Sequence, residues 1–104
     1  MRRIEREQVI AILRAHEAEL RSAGVESVSL FGSVARGEPF PQDVDVAVRV
    51  SEKFSNGGLD YFYQLKQLER RLRKVLGCEV DVINEPVRKK RFQDEIERDR
   101  AIVF

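Results

Sequence analysis

Asp43 to Val50 reads Asp-Val-Asp-Val-Ala-Val-Arg-Val, and no other stretch limits the fold as strongly. Side chains alternate across a strand, so Val44, Val46, Val48 and Val50 share one face. Asp43, Asp45, Ala47 and Arg49 take the other. One face asks for a hydrophobic core, and the opposite face carries two carboxylates that converge because they lie two residues apart. Such a strand belongs in a sheet covered by helices.

The remaining segments supply that sheet and those helices. Residues 4–22 are predicted to form a helix, with Val9, Leu13, His16 and Leu20 on one face and Gly24 beyond its end. Ser27 to Phe31 is a short strand, with Val28 and Leu30 pointing one way. Gly32-Ser33-Val34-Ala35-Arg36-Gly37 is long enough for one helical turn. Pro39 and Pro41 make 38–42 an extended loop, and Ser51 to Gly58 reads as a flexible one. From 59 to 76, Tyr61, Leu65, Leu68, Leu72 and Val75 form a helical stripe that Gly77 ends. Glu79 to Ile83 is a third strand, 89–99 a charged helix, and 101–104 a small edge strand. The order α-β-α-β-α-β-α gives an α+β fold of α/β-like character, a small mixed sheet packed with helices.

A chain of 104 residues suits one domain, 1–104, and its 42% hydrophobic content is enough to fold it. Its 19 Lys and Arg nearly balance 18 Asp and Glu, leaving no whole-molecule field to attract nucleic acid or membrane. Cys78 stands alone, which excludes an internal disulfide and a thiolate metal cage. No apolar run approaches the ~20 residues of a membrane helix. Met-Arg-Arg-Ile-Glu-Arg-Glu has no secretory character either. The expectation is a soluble cytoplasmic domain.

Three features carry chemistry. Gly32-Ser33 follows a strand and opens a helical turn, where unpaired N–H groups can hold a phosphate and Arg36 can add a charge. The same residues also suit an ordinary capped strand–turn–helix connection. Asp43 and Asp45 form a carboxylate pair whose joint ionisation favours a cation, Mg²⁺ being suited to carboxylates plus substrate phosphates. A polar strand start is the plainer alternative. Asp81 alternates with Val80 and Val82, and joins the pair if its strand is a neighbour. For one nucleotide to touch Ser33, Asp43 and Asp45, the first two strands must run antiparallel with 32–42 as their connection. Together these parts suit metal-assisted nucleotidyl transfer.

Leu30-Phe31-Gly32-Ser33-Val34-Ala35-Arg36-Gly37, then Asp43-Val44-Asp45-Val46, then Val80-Asp81-Val82, resembles the minimal nucleotidyltransferases of the DNA polymerase β superfamily. The resemblance covers most of the chain and implies the nucleotidyltransferase fold. It implies two Mg²⁺ ions held by Asp43, Asp45 and Asp81, with Gly32 and Ser33 on the triphosphate of ATP. Arg36 is a candidate phosphate contact, and a salt bridge to Glu38 is the alternative. Gln42 stands where the family commonly has Ser before the first Asp. With no room for an acceptor domain, the acceptor surface is expected from a partner. The resemblance implies an antitoxin that moves AMP onto a tyrosine of a helical HEPN-type ribonuclease toxin, with no direct nucleic-acid binding. The rival reading is a binding module that neutralises its partner by covering it.

Other residues read as structural. Arg88-Lys89-Lys90-Arg91, followed by Asp94, Glu95, Glu97 and Asp99, reads as a solvated, salt-bridge-laced helix. His16 is expected at the core edge and Cys78 in the interior. Tyr61, Phe62 and Tyr63 are consecutive and cannot all face one core, so at least one is exposed as a candidate partner contact.

Overall fold

A computed structural model describes residues 5–38, 43–55 and 59–104. The chain opens with helices α1 (Arg6–Ala15) and α2 (Glu17–Ser22), strand β1 (Val25–Phe31) and the short helix α3 (Gly32–Ala35). Strand β2 (Val44–Val50), helices α4 (Glu52–Ser55) and α5 (Leu59–Leu76) and strand β3 (Val80–Asn84) follow. Helix α6 (Lys90–Asp99) and strand β4 (Ala101–Ile102) complete it. The four strands lie in the order β3-β2-β1-β4. β1 is antiparallel to β2 and to β4, whereas β2 and β3 are parallel, as a connection through α5 permits. The sheet is therefore mixed, and the first two strands have the relative direction the site requires.

Valine alternation in β2 does what the sequence demands. Val44, Val46 and Val48 are buried in one cluster with Leu13, Leu20, Leu30, Leu68, Leu72 and Val80. This cluster is the main core, and each fully buried Leu or Val contributes roughly 1.5–3 kcal/mol before entropy is counted. On the other face Phe31, Ala47 and Ile96 form a second, smaller cluster, with Ile83, Val87 and Phe92 packed against it. Helix α6 thus covers the face that also carries the aspartates. Ala47 sits among the polar positions of β2, yet its small side chain makes room for Ile96.

Polar contacts fix α6 as well. Arg100 donates to Ser29 Oγ (2.9 Å) and to Glu85 Oε2 (3.0 Å), while Gln93 Nε2 donates to Glu85 Oε1 (2.7 Å). Burial opposes the Glu85 charge, but the hydrogen bonds from Arg100 and Gln93 hold its carboxyl below the usual range.

Some boundaries differ from the sequence reading. The single helix over 4–22 is two helices, because His16 leaves helical geometry at φ −103°, ψ 11°. His16 is half-buried and pairs with Glu19 at 3.6 Å. The loop predicted from Ser51 contains α4, whose Phe54 is buried against the main core. In α5, Leu76 is buried in addition to the predicted Leu68 and Leu72. Cys78 is half-buried rather than interior, because it lies in the short link from α5 to β3. Phe62 and Tyr63 are each 64% exposed, while Tyr61 packs on the core and accepts a hydrogen bond from Asn84. Arg88 to Arg91 are solvent-exposed, as expected. The predicted loop around Pro39 and Pro41, and Gln42 with it, lies outside the described residues, as does 56–58. Among the described residues, no helix is long and apolar enough to cross a membrane.

Candidate active site

Strand register assembles the carboxylates. Asp45 lies beside Asp81 across the parallel β2–β3 pair and beside Phe31 across the antiparallel β1–β2 pair. Residues abreast in adjacent strands share a face, so Phe31, Asp45 and Asp81 form one row away from the main core. Asp81 is exposed and Asp45 half-buried. Asp43 precedes the first residue of β2 and is also half-buried. Its charge is felt at Asp45. Burial raises the Asp45 carboxyl above its ordinary value, repulsion from Asp81 and Asp43 adds to this, and Arg36 works against it. Among the described residues, no group of three His, Cys, Asp or Glu side chains stands close enough to cage a cation. What the fold supplies is an oxygen-donor pair in register, with a third carboxylate near enough to perturb it.

The turn after β1 completes the row. Gly32 has φ +74°, a region that favours glycine, and a Cβ placed there would lie 2.2 Å from Asp45 Oδ2. The glycine backbone and the Asp45 carboxylate are therefore in direct apposition, with no room for a side chain between them. Val34 and Ala35 anchor α3 by burying themselves in the main core, leaving Ser33 half-buried at its start. Arg36 N donates to Gly32 O (3.0 Å) and Glu38 N to Ser33 O (3.1 Å), which closes the turn.

Arg36 takes the ion-pair alternative in this structure. Its guanidinium donates to Glu38 Oε2 and to Asp99 Oδ2, each at 2.7 Å. These two bonds, Glu38 first, raise its already high pKa. The Asp99 contact is invisible in the sequence, because α6 meets the turn only through the tertiary fold. Phe92 was also missed as a functional neighbour. Its ring meets Phe31 edge-on at 5.9 Å and helps wall the row on its α6 side. The alternation of Phe31 with Leu30 was the available signal.

Comparison with known proteins shows the family and the fold. The family described as "Polymerase beta, Nucleotidyltransferase" matches residues 7–104. A relative from Methanocaldococcus jannaschii, MJ1379, to which protein adenylyltransferase activity is ascribed, is 32% identical over 96 residues. That alignment covers 86% of this chain and 92% of the relative. A solved structure assigned as a minimal nucleotidyltransferase superposes with a TM-score of 0.71 at 28% identity, covering 94% of this chain and 95% of the other. The MNT antitoxin complexed with a tri-AMPylated HEPN toxin of Shewanella oneidensis is 16% identical, with a TM-score of 0.62. The match covers 91% of this chain and 71% of that one, and shows a shared fold.

Proposed function

The chain belongs to the polymerase β nucleotidyltransferase family, and from that premise we propose that it transfers AMP from ATP to a hydroxyl of a protein partner. One observation carries the reading: the Gly32 backbone lies against the Asp45 carboxylate, abreast of Asp81. A turn suited to phosphate and a carboxylate pair suited to a hard cation therefore occupy one edge of one row. The related adenylyltransferase assignment and the toxin–antitoxin fold relatives support a protein acceptor, a helical HEPN-type toxin, with this chain as antitoxin.

The donor set fits Mg²⁺, because it consists of carboxylate oxygens whose mutual repulsion a cation relieves. Asp43, Asp45 and Asp81, which do not cage an ion as they stand, are the carboxylates that would hold two such ions; bound, the ions would neutralise charge on the triphosphate and ease ionisation of the acceptor hydroxyl. Gly32 and Ser33 hold the triphosphate through backbone N–H groups and the Ser33 hydroxyl. Arg36, held by Glu38 and Asp99, acts on the site through its charge, which is felt at Asp45. Asp81, exposed on the edge strand β3, serves as ligand or as the base that takes the proton of the acceptor hydroxyl. The acceptor oxygen then bonds to the α-phosphorus, the bond to the bridging oxygen breaks, and pyrophosphate leaves with its electron pair.

Incubation with α-labelled ATP and Mg²⁺, with and without the co-purified partner, tests the proposal. Label is expected on the partner, and Asp45→Ala abolishes it while leaving the domain folded. Full transfer by that variant would overturn the carboxylate assignment. A stable complex that never accepts label would establish the rival, purely binding antitoxin.

A further inference from the structure

On the side of the sheet remote from the aspartates, α5 forms one wall of an open cavity of about 460 Å³. Its apolar part is Ala23, Phe54 and Leu68, the last two being members of the main core. Its rim carries Arg70, Arg71 and Lys74, and among the described residues no carboxylate lines it. Three cations with no acid in the described lining are a local excess in a chain whose net charge is only +1. Arg71 is partly neutralised by Glu19 at 2.8 Å, but Arg70 and Lys74 form no ion pair among the described residues.

The surface continues beyond the cavity. Tyr63, Gln67, Arg70 and Lys74 follow one another at spacings of four, three and four, so they form a single stripe along α5. Tyr63 is 64% exposed at one end. From Tyr63 to Lys74 the helix rises roughly 16 Å, too long for one compact small ligand and well matched to a helix lying alongside. Aromatic and Arg side chains around an apolar depression are also the residue types that protein interfaces favour.

We infer that this face docks a helical segment of a protein partner that presents a large apolar side chain flanked by carboxylates. The apolar side chain enters the cavity over Phe54 and Leu68, and the carboxylates pair with Arg70 and Lys74. Because Leu68 and the aspartates belong to opposite faces of the sheet, the docked segment leaves the row of Asp45 and Asp81 accessible. The site goes beyond the transfer reaction and operates without nucleotide.

The test therefore omits ATP and Mg²⁺. An amide-resolved NMR titration uses a capped helical peptide of about 12 residues, with two Leu four apart and Glu on either side. Perturbations are expected at Ala23, Gln67, Leu68 and Arg71. The double variant Arg70→Glu/Lys74→Glu should melt like the parent and bind at least about tenfold more weakly, a loss of ~1.4 kcal/mol. A peptide with Lys in place of Glu should not bind. Absence of perturbation, equal binding of the two peptides, or unchanged affinity of the variant would overturn the inference. Perturbations that grow with protein concentration alone would identify a second copy of the chain as the occupant, and would overturn it equally.

Discussion

At the scale of single residues, Gly32 and Asp45 set the limits of the site. Gly32→Ala meets two obstacles, a left-handed backbone and a carboxylate 2.2 Å from the new Cβ. The backbone alone costs roughly 1–2 kcal/mol. The variant should melt lower and lose ATP binding, which calorimetry and nucleotide titration measure. Asp45 behaves in the opposite sense. Its folded carboxyl titrates above the ordinary 3.8, so its protonated form favours the fold and its charge opposes it. Its favourable contribution is complete below about pH 3.8 and is lost as pH rises through the folded value. Asp45→Asn should therefore be more stable than the parent at pH 7, by on the order of 1 kcal/mol after solvent screening. The advantage should vanish in acid, and melting curves at pH 3 and pH 7 separate the two cases. Asp43, Asp45 and Asp81 could be picked from the sequence because alternation with valine fixes the face of each. The Arg36–Asp99 pair could not, since nothing announces a contact between residues 63 apart in sequence.

Among the elements, α6 shows what sequence patterning conveys and what it omits. Its charged character and extent were legible from 89–99, and the observed helix begins at Lys90. Its docking was not, because it rests on one buried Ile96, on Ala47 in an otherwise polar strand face, and on the Glu85–Arg100 pair. Arg100→Met leaves the buried Glu85 carboxylate without its main partner. A buried pair broken in this way costs about 3–5 kcal/mol. Glu85 is held below its usual 4.5, so its stabilising contribution is present above that pH and is lost as pH falls through the lower folded value. The gap between parent and variant in urea unfolding should be wide at pH 7 and should narrow in acid, once pH falls below the lowered folded value of Glu85. The break at His16 was likewise hidden, since Val9, Leu13 and Leu20 keep helical spacing across it.

For the whole molecule, the mixed sheet separates two kinds of surface, a carboxylate row on one side and a cationic helix face on the other. Ligand linkage reads the first directly. Mg-ATP at a hundred times its dissociation constant should stabilise the parent by about 2.7 kcal/mol, and Asp43→Asn much less. Equal gains would place Asp43 outside the nucleotide site. The topology also orders events in time. Gly32, Ser33, Asp43 and Asp45 all belong to one antiparallel hairpin between Val25 and Val50, whereas Asp81 arrives on a parallel strand after a connection of roughly 30 residues. Closing that longer loop costs more chain entropy, and parallel pairing is slow to form. The Gly32 turn and the Asp43–Asp45 pair therefore need only a local connection, whereas Asp81 depends on the longer one. The row of carboxylates is thus completed from a distance along the chain, and anything that loosens β3 from β2 removes Asp81 while leaving the Gly32 turn and Asp45 together.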